Sequence, residues 1–288
     1  MPTAPGLADT PTPSATVLML RDGPAGLEVF LLKRHSALAV LGGVHVFPGG
    51  KLDAEDADLA PRLDRPAPAL REALGEPDLP ESQAPALFVA AIREAFEEAG
   101  VLFADWGQTQ LDEALAQHQA GLSFAHIVER SGALLRASAL APWSRWITPR
   151  ESLNMRRRFD ARFFVAAVPP GQAPTHDRSE TTDSVWLAPA QALRDYWERR
   201  IDLAGPQLMS LVQLARHRDV ASVFGEARGR RPPCIRPESF RDADGGGMVC
   251  YPGDPRHSAA EPLMHGPSRL LWVGGRYEPE AGLAGFLG

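Results

Sequence analysis

Apolar and polar positions along this chain follow the period of a strand in some stretches and the period of a helix in others. Residues 15–22 and 27–34 are rich in aliphatic side chains and flank a Gly/Pro turn, which predicts a β-hairpin. Between residues 86 and 99, apolar side chains recur every three or four positions, which predicts an amphipathic helix. The first third of the chain therefore contains both kinds of element.

The same patterns continue along the chain and predict a layered α/β fold. The further strands predicted from apolar and aromatic runs are 44–52, 140–149, 159–169 and 184–189. The further predicted helices are 111–119, 124–135, 190–199 and 206–218. From residue 228 onward, glycines and prolines separate short apolar pieces, which indicates loops and small strands. Strands and helices that alternate in this order are typical of a mixed α/β architecture.

Changes in composition divide the chain into segments. Residues 1–13 are rich in proline and threonine and are predicted to be a flexible N-terminal tail. Residues 57–86 are rich in proline and alanine and are predicted to contain at most one short helix. We expect one main domain over residues 14–225, with residues 226–288 as a C-terminal extension packed on it.

The overall composition excludes several classes of protein. The chain has 288 residues, 44% of them hydrophobic, which is enough for a substantial core. A net charge of −6 argues against a general nucleic-acid binder or a binder of anionic membranes. The N-terminus lacks the basic and apolar regions of a signal peptide, and two cysteines cannot form a disulfide framework. We therefore expect a cytoplasmic protein that acts on neither nucleic acid nor membrane.

Three glutamates, Glu94, Glu97 and Glu98, lie close together near the end of the helix predicted over residues 86–99. Like charges three or four positions apart destabilise a helix by about 0.2–0.5 kcal/mol per pair. The C-terminal end of a helix also disfavours negative charge. Either these carboxylates are solvated on the face opposite the apolar stripe, or they bind a hard divalent cation such as Mg²⁺, which takes oxygen ligands.

The turn Pro48–Gly50 and the segment "REAFEEAGV" together resemble the box of the Nudix hydrolase family, G-x5-E-x7-R-E-U-x-E-E-x-G-U, where U is aliphatic. The matching positions are Gly50, Arg93, Glu94, Ala95, Glu97, Glu98, Gly100 and Val101. Two features depart from the box. Asp56 stands at its first glutamate, and the next spacer is 36 residues long (57–92) instead of seven.

A split box of this kind resembles the branch that contains the peroxisomal acyl-coenzyme A diphosphatases of animals. The likeness extends over roughly residues 14–215. It implies a Nudix-type α/β/α sandwich with a mixed β-sheet, an insertion at residues 57–86 and a Gly/Pro-rich C-terminal extension. The insertion is expected to be either a lid over the substrate or a tolerated surface loop.

The resemblance also implies a function. Nudix hydrolases use Mg²⁺ or Mn²⁺ to cleave a diphosphate bond, an acid anhydride of phosphorus, in a nucleoside diphosphate linked to another moiety. A Nudix-fold module that senses a nucleotide without cleaving it is the alternative from a different class. Non-catalytic members usually lose box glutamates, whereas Glu94, Glu97 and Glu98 are all present here. Many Nudix hydrolases form dimers, so the resemblance leaves a homodimer open.

The resemblance assigns roles to individual residues. The implied metal ligands are three carboxylates and one backbone carbonyl, those of Glu94, Glu97, Glu98 and Gly50. Arg93 is expected to form an ion pair with a box carboxylate, and Asp56 at the first glutamate position leaves its partner open. The general base is expected to be either Glu97 or Glu180, because family members use a box glutamate or a carboxylate from a later loop.

The segment "LLKRHSALAVLGGVHVFPGG" partly resembles the signature of coenzyme A-directed Nudix enzymes, with Gly43 ahead of Phe47. Ala39 replaces an arginine of that signature, and Arg34 or the run 156–158 could supply the phosphate contact instead. A solvated charge run is the alternative for at least two of those three arginines. The implied substrate-binding residues are Arg34, Phe47, Arg157 and Arg158. Coenzyme A or an acyl-CoA is the expected substrate, with ADP-ribose, NADH and dinucleoside polyphosphates as rivals.

Overall fold

The computed structural model describes residues 10–37, 41–152, 157–177, 180–241 and 246–288. The strands are β1 (Thr12–Gly23), β2 (Gly26–Arg34), β3 (His45–Val46), β4 (Gly49–Lys51), β5 (Leu140–Ile147), β6 (Phe159–Ala167), β7 (Thr181–Leu187), β8 (Cys234–Ile235), β9 (Glu238–Arg241), β10 (Gly247–Cys250), β11 (Arg269–Val273) and β12 (Arg276–Glu278). The helices are α1 (Ala54–Asp58), α2 (Ala67–Leu74), α3 (Gln83–Ala99), α4 (Gln108–Gln119), α5 (Phe124–Ser131), α6 (Pro189–Trp197), α7 (Gly205–Leu214), α8 (Val220–Gly229) and α9 (Leu283–Leu287). Two short 3₁₀ helices span Ala60–Arg62 and Ala137–Ala139.

A mixed sheet forms the centre of the molecule, as the resemblance implied. Its strand order is β3-β2-β1-β6-β5-β8, with β4 also paired to β1 and β7 to β2. The predicted hairpin is confirmed, since β1 and β2 are antiparallel and Gly23 pairs with Gly26 at the turn. β1 runs parallel to β6, whereas β5 runs antiparallel to β6. The sheet therefore mixes both kinds of pairing around its central strands.

Helices cover both faces of this sheet. Successive side chains of β1 therefore point alternately into two apolar clusters. Val17 and Met19 pack in the cluster that contains α3, whereas Leu18 and Leu20 pack in the cluster that contains α6 and α7. On the α3 side, the rings of Phe88 and Phe164 lie 4.8 Å apart. A strand whose two faces are both buried reads as an unbroken apolar run, which is what residues 17–20 show.

The helix predicted over residues 86–99 begins three residues earlier, at Gln83, and ends at Ala99. Gly100 follows in the left-handed conformation with φ of 67°, and its backbone N–H donates to the carbonyl of Phe96. The interpretation of a solvated acidic face is wrong for two of the three glutamates. Glu94 and Glu98 are only 8% and 7% exposed, because the turn at β4 covers the face that carries them.

The segment 57–86 is part of the core, which corrects both interpretations made from its composition. It contains the end of α1, a 3₁₀ turn and α2, so it holds more helix than expected. Five of its leucines are buried in the same apolar cluster as α3, namely Leu59, Leu63, Leu70, Leu74 and Leu79. Glu76 also forms ion pairs with Arg145 of β5 and Arg162 of β6. A segment that supplies core side chains and buried ion pairs is neither a removable loop nor a separate lid.

The C-terminal part of the chain is joined to the main sheet. β8 pairs in parallel with β5, and β9 to β12 form a second sheet in the order β12-β11-β10-β9. The Tyr196 hydroxyl donates to the Tyr277 carbonyl at 2.8 Å and accepts from the Tyr277 N–H at 2.9 Å. The boundary expected after residue 225 falls inside α8, a helix that the sequence patterns did not predict.

Two further expectations concern the ends of elements and membrane association. β1 begins at Thr12, so the predicted tail of residues 1–13 is too long at its C-terminal end, and residues 1–9 lie outside the described part of the chain. Within the described residues, no helix combines the length and the apolar character needed to cross a membrane.

Candidate active site

A cavity of about 700 Å³ opens beside the C-terminal half of α3, within the usual size range of small-molecule sites. One part of its lining is charged and includes Arg34, Lys51, Asp53, Arg93, Glu94, Glu97, Glu98, Asp177 and Glu180. Another part is neutral and mostly apolar, and includes Phe47, Trp146, Phe163, Pro206, Gln207, Pro237, Ser239, Val249, Tyr251 and Tyr277. The cavity therefore has a charged part and a mostly apolar part, and its lining residues come from both halves of the chain.

The Gly49–Gly50 turn holds two of the box carboxylates by close backbone approach. The Gly49 N–H donates to Glu98 Oε2 at 2.9 Å. At residue 50, any Cβ atom would overlap the Glu94 carboxylate, so only glycine leaves that carboxylate in place. The turn is fixed to the sheet, because Gly50 pairs with Ala15 of β1. The role of the Gly50 carbonyl as a metal ligand stays a prediction.

Arg93 forms the ion pair predicted for it, and its partner is Asp56. Arg93 Nε and Nη2 donate to the two oxygens of Asp56 at 2.9 and 3.1 Å. Nη1 of the same guanidinium donates to Glu94 at 2.8 Å and to Glu97 at 3.0 Å, and Nη2 also donates to the Lys51 carbonyl. Asp56 is 1% exposed, so this pairing is buried. Aspartate thus replaces the first glutamate of the box without loss of the ion pair.

Burial raises the pKa of all three box glutamates. Desolvation, followed by the negative charge of Glu94, raises the pKa of Glu98 to about 8. Desolvation also outweighs the attraction of Arg93 at Glu94 and raises the pKa of that carboxyl to about 7. The pKa of Glu97 is raised by burial as well. The ionised forms of these carboxyls are therefore disfavoured in the metal-free protein.

The carboxylate donors of this cluster fit a hard divalent cation, which takes oxygen ligands. Glu94, Glu97 and Glu98 would hold it, with the Gly50 carbonyl as a further candidate. Across the described ranges of the chain, no three acidic, histidine or cysteine side chains already converge as a ligand set. Arg93 Nη1 instead bridges Glu94 and Glu97. Binding of a cation would therefore replace contacts that these two carboxylates make with Arg93.

The other predicted site residues do not all reach the cavity. Arg34 lines it, with Nη2 3.3 Å from Glu180 Oε2 and Nη1 3.8 Å from Glu98 Oε1. Phe47, buried, and Arg157, exposed, also line it. Arg158 differs, because its side chain is buried, donates from Nε to the Thr148 carbonyl and is absent from the described lining. The roles of these residues in substrate binding stay predictions.

Ala39, where the coenzyme A signature has an arginine, and Arg156 both lie outside the described residues.

Several lining residues were missed by the sequence reasoning. His118 of α4 lines the charged part of the cavity, and its ring lies 5.5 Å from that of Phe96. Gln207, Ser239, Tyr251 and Tyr277 line the neutral part. They lie more than 100 residues after the box and belong to no recognisable motif, so only the tertiary fold brings them to the site.

The raised pKa values predict that the metal-free protein loses stability as the pH rises. Between pH 4.5 and 8 the folded state binds more protons at Glu94 and Glu98 than the unfolded state does, so the free energy of unfolding falls with pH. Since one pKa unit corresponds to about 1.4 kcal/mol, we expect the two carboxyls together to cause a loss on the order of 5 kcal/mol between pH 5.5 and 8.5. Urea denaturation in EDTA at several pH values measures it.

The same titration with Glu98→Gln isolates the contribution of this carboxyl from those of other groups. The variant should show a clearly shallower loss of stability with pH than the wild-type protein. Equal slopes for the two proteins would show that Glu98 is not held in the unfavourable environment that the structure gives it.

Comparisons with known proteins agree with this geometry. A family model described as the NUDT19 Nudix domain matches residues 7–214. The chain therefore belongs to the Nudix hydrolases, and within them to the family of the NUDT19 Nudix domain. The expected branch of the family is thereby confirmed.

Curated relatives and a solved structure show how far the likeness extends. The chain is 28% identical over 225 residues to the acyl-coenzyme A diphosphatase NUDT19 of Xenopus laevis, covering 65% of this chain and 59% of that protein. It is 27% identical over 304 residues to the protein of the same name from Gallus gallus, covering 86% and 79%. The fold is shared with a NUDIX hydrolase from Alicyclobacillus acidocaldarius, with a TM-score of 0.62, 23% identity, and 75% and 96% coverage.

Proposed function

We propose that this protein hydrolyses the diphosphate bond of coenzyme A or an acyl-CoA, giving 3′,5′-ADP and 4′-phosphopantetheine or its acyl derivative. The main support for the proposal is the cavity itself, which is lined by a carboxylate cluster in one part and by a neutral aromatic wall in another. The relatives from Xenopus laevis and Gallus gallus are named acyl-coenzyme A diphosphatases, which supports the same choice. Mg²⁺ or Mn²⁺ is the proposed cofactor.

The box residues form a rigid base for this chemistry. A divalent cation bound by Glu94, Glu97 and Glu98 would neutralise diphosphate charge and lower the pKa of water. Arg93 ties α3 to α1 through Asp56, so the carboxylates of α3 keep a fixed position relative to the Gly49–Gly50 turn. The Gly49 N–H orients the Glu98 carboxylate. These contacts hold the site in place before substrate arrives.

Arg34 is the proposed contact to a substrate phosphate. Its guanidinium lies in the cavity between the Glu98 and Glu180 carboxylates. Its Nε is buried and has no hydrogen-bond partner among the residues that the structure describes. A guanidinium with an unused donor suits the oxygens of a diphosphate, which arginine binds in pairs. Phe47 and Arg157 are proposed to contact the substrate from the neighbouring lining.

Glu180 is the proposed general base, in preference to Glu97. Both side chains line the cavity. Glu97 accepts a hydrogen bond from Arg93 and is expected to bind the cation, so its carboxylate is already engaged. Glu180 lies outside the Arg93 network and is paired only loosely with Arg34, at 3.3 Å. A carboxylate in that position can receive a proton from a water molecule in the cavity.

Glutamine variants separate the two candidates. Glu180→Gln should lower kcat by a factor of about 10²–10⁴, the usual contribution of a general base, without changing the Mg²⁺ concentration that gives half-maximal activity. Glu97→Gln should instead raise that Mg²⁺ concentration. Steady-state kinetics over a Mg²⁺ series measure both quantities. The opposite pattern would assign the base to Glu97.

A substrate panel tests the proposed function. We expect kcat/KM for coenzyme A or an acyl-CoA to exceed that for ADP-ribose, NADH and dinucleoside polyphosphates by tenfold or more, about 1.4 kcal/mol in the transition state. A tenfold preference for one of those rivals, with either Mg²⁺ or Mn²⁺, would overturn the substrate assignment. Binding without metal-dependent turnover of any class would point instead to a nucleotide-sensing module.

A further inference from the structure

Several of the neutral residues that line the cavity lie beyond the stretch that the family model matches. We define the aromatic subsite as six of the neutral lining residues, namely Trp146, Gln207, Ser239, Val249, Tyr251 and Tyr277. Ser239, Val249, Tyr251 and Tyr277 come from the second sheet and its connections, beyond residue 214. None of the six carries a charged side chain.

Ring contacts connect this subsite to the box. The ring of Phe47, which lies two residues before the Gly49–Gly50 turn, is 6.4 Å from that of Phe163. Phe163 is 6.3 Å from Trp146, and Trp146 is 6.1 Å from Tyr251. A continuous aromatic wall therefore leads from the carboxylate cluster into the subsite. A ligand that reaches from one to the other would lie along this wall.

Two polar atoms in the subsite are buried without a partner. Gln207 is 7% exposed, and its Oε1 has no hydrogen-bond partner among the described residues. Ser239 Oγ is also buried and has no hydrogen-bond partner among the described residues. An unpaired buried polar group destabilises a protein by about 1–3 kcal/mol, so two in one apolar pocket call for an explanation. A ligand that offers an N–H to Gln207 and a carbonyl to Ser239 would satisfy both.

We propose that the aromatic subsite binds the neutral, amide-bearing arm of the substrate, the pantetheine arm of coenzyme A. Gln207 Oε1 accepts a hydrogen bond from an amide N–H of the arm, and Ser239 Oγ donates one to an amide carbonyl. This inference rests on the proposed function and assigns one half of that substrate to one part of the cavity.

Charge decides which half of coenzyme A lies in the subsite. The 3′,5′-ADP half carries a phosphate on each side of its ribose, and the six subsite residues offer no cation to neutralise one. The charged part of the cavity contains Arg34, Lys51 and Arg157. The pantetheine arm is uncharged, with apolar stretches between two amides, which suits an aromatic wall with one acceptor and one donor.

Gln207→Leu tests the assignment, with Gln213→Leu as its matched control. Both glutamines are buried on α7, but the Gln213 amide is fully engaged, because Nε2 donates to the His265 carbonyl at 2.7 Å and Oε1 accepts from the His265 N–H at 3.1 Å. Gln207→Leu should reduce the ratio of kcat/KM for coenzyme A to that for ADP-ribose, which lacks the arm, about tenfold, mainly through KM for coenzyme A.

Stability distinguishes a binding role from a structural one. Gln207→Leu removes an unpaired buried oxygen, so its melting temperature without ligand should stay level or rise. Gln213→Leu breaks the hydrogen bonds to His265 and to the Met209 carbonyl, so its melting temperature should fall while the substrate ratio stays unchanged. A fall in stability for Gln207→Leu with an unchanged ratio would show that the glutamine is structural, and the proposal would be wrong.

The remaining outcomes separate this inference from the proposed function. Equal losses for coenzyme A and ADP-ribose in Gln207→Leu would place the adenosine half in the subsite. Normal kinetics and unchanged stability in both Gln207→Leu and Ser239→Ala would mean that the two polar atoms bind ordered water only. If the wild-type protein does not cleave coenzyme A, the proposed function fails. Calorimetric titration with pantetheine then tests the subsite alone, and binding that Gln207→Leu weakens would uphold it.

Discussion

Replacing Glu98 with glutamine should reduce turnover at saturating Mg²⁺ by a hundredfold or more. Residues that only support metal ligands typically reduce metal affinity or activity by about 10–100-fold when they are removed, so the loss of a charged ligand should reach at least the upper end of that range. The Gly49 N–H fixes one oxygen of the Glu98 carboxylate beside the turn. The measurement is kcat for coenzyme A over a Mg²⁺ series.

The same variant should keep its fold. Glutamine has the shape of glutamate, and its amide oxygen can still accept the Gly49 hydrogen bond. The pKa of Glu98, raised to about 8, shows that its ionised form is disfavoured in the metal-free protein, so the melting temperature in EDTA near pH 8.5 should rise. Glu113→Gln, at an exposed position of α4, is the control and should change neither quantity. Near-normal turnover of purified Glu98→Gln would contradict the metal assignment.

Replacing Arg93 with methionine should destabilise the protein by about 3–5 kcal/mol, the usual effect of breaking a buried ion pair by removing one partner. Asp56, 1% exposed, would be left without its two-pronged contact, and Glu94 and Glu97 would lose the guanidinium that they share. Activity should fall with it, because the carboxylates of α3 lose their fixed position. Urea denaturation of the metal-free protein measures the stability change.

Two further variants test whether the destabilisation in Arg93→Met comes from the burial of the ion pair. Arg218→Met breaks an ion pair of similar length, 3.0 Å, with Asp219, but the Arg218 side chain is 90% exposed, so the change should stay within about 1 kcal/mol. Asp56→Asn combined with Arg93→Met removes the stranded charge and should recover part of the loss. A loss below about 1 kcal/mol in Arg93→Met alone would show that this buried pair does not hold the box together.

The parts of the molecule that depend on local patterns were predictable from the sequence. The β1–β2 hairpin, the box helix and the strands β5 and β6 follow from the period of their apolar residues, and each was placed within a few positions. Helical periodicity also grouped Glu94, Glu97 and Glu98 on one face. It could not show that the Gly49–Gly50 turn, more than 40 residues earlier, covers that face and buries two of the three carboxylates.

The insertion shows why composition alone misled. Prolines interrupt the leucines of residues 57–86, so no single helix carries an apolar stripe that a periodicity argument could detect. Their burial comes from the packing of several short helices against α3. The same limit applies to Gln207 and Ser239, which line the same cavity as the box residues only in the folded chain. Residues assembled by tertiary contacts leave no local signal in the sequence.

The most direct test of the central claim is the hydrolysis of coenzyme A by the purified protein, with and without Mg²⁺, followed by identification of the products by mass spectrometry. We expect equal amounts of 3′,5′-ADP and 4′-phosphopantetheine, formed with added Mg²⁺ and suppressed by EDTA. Persistence of the intact substrate at every Mg²⁺ concentration, or cleavage at a bond other than the diphosphate, would contradict it.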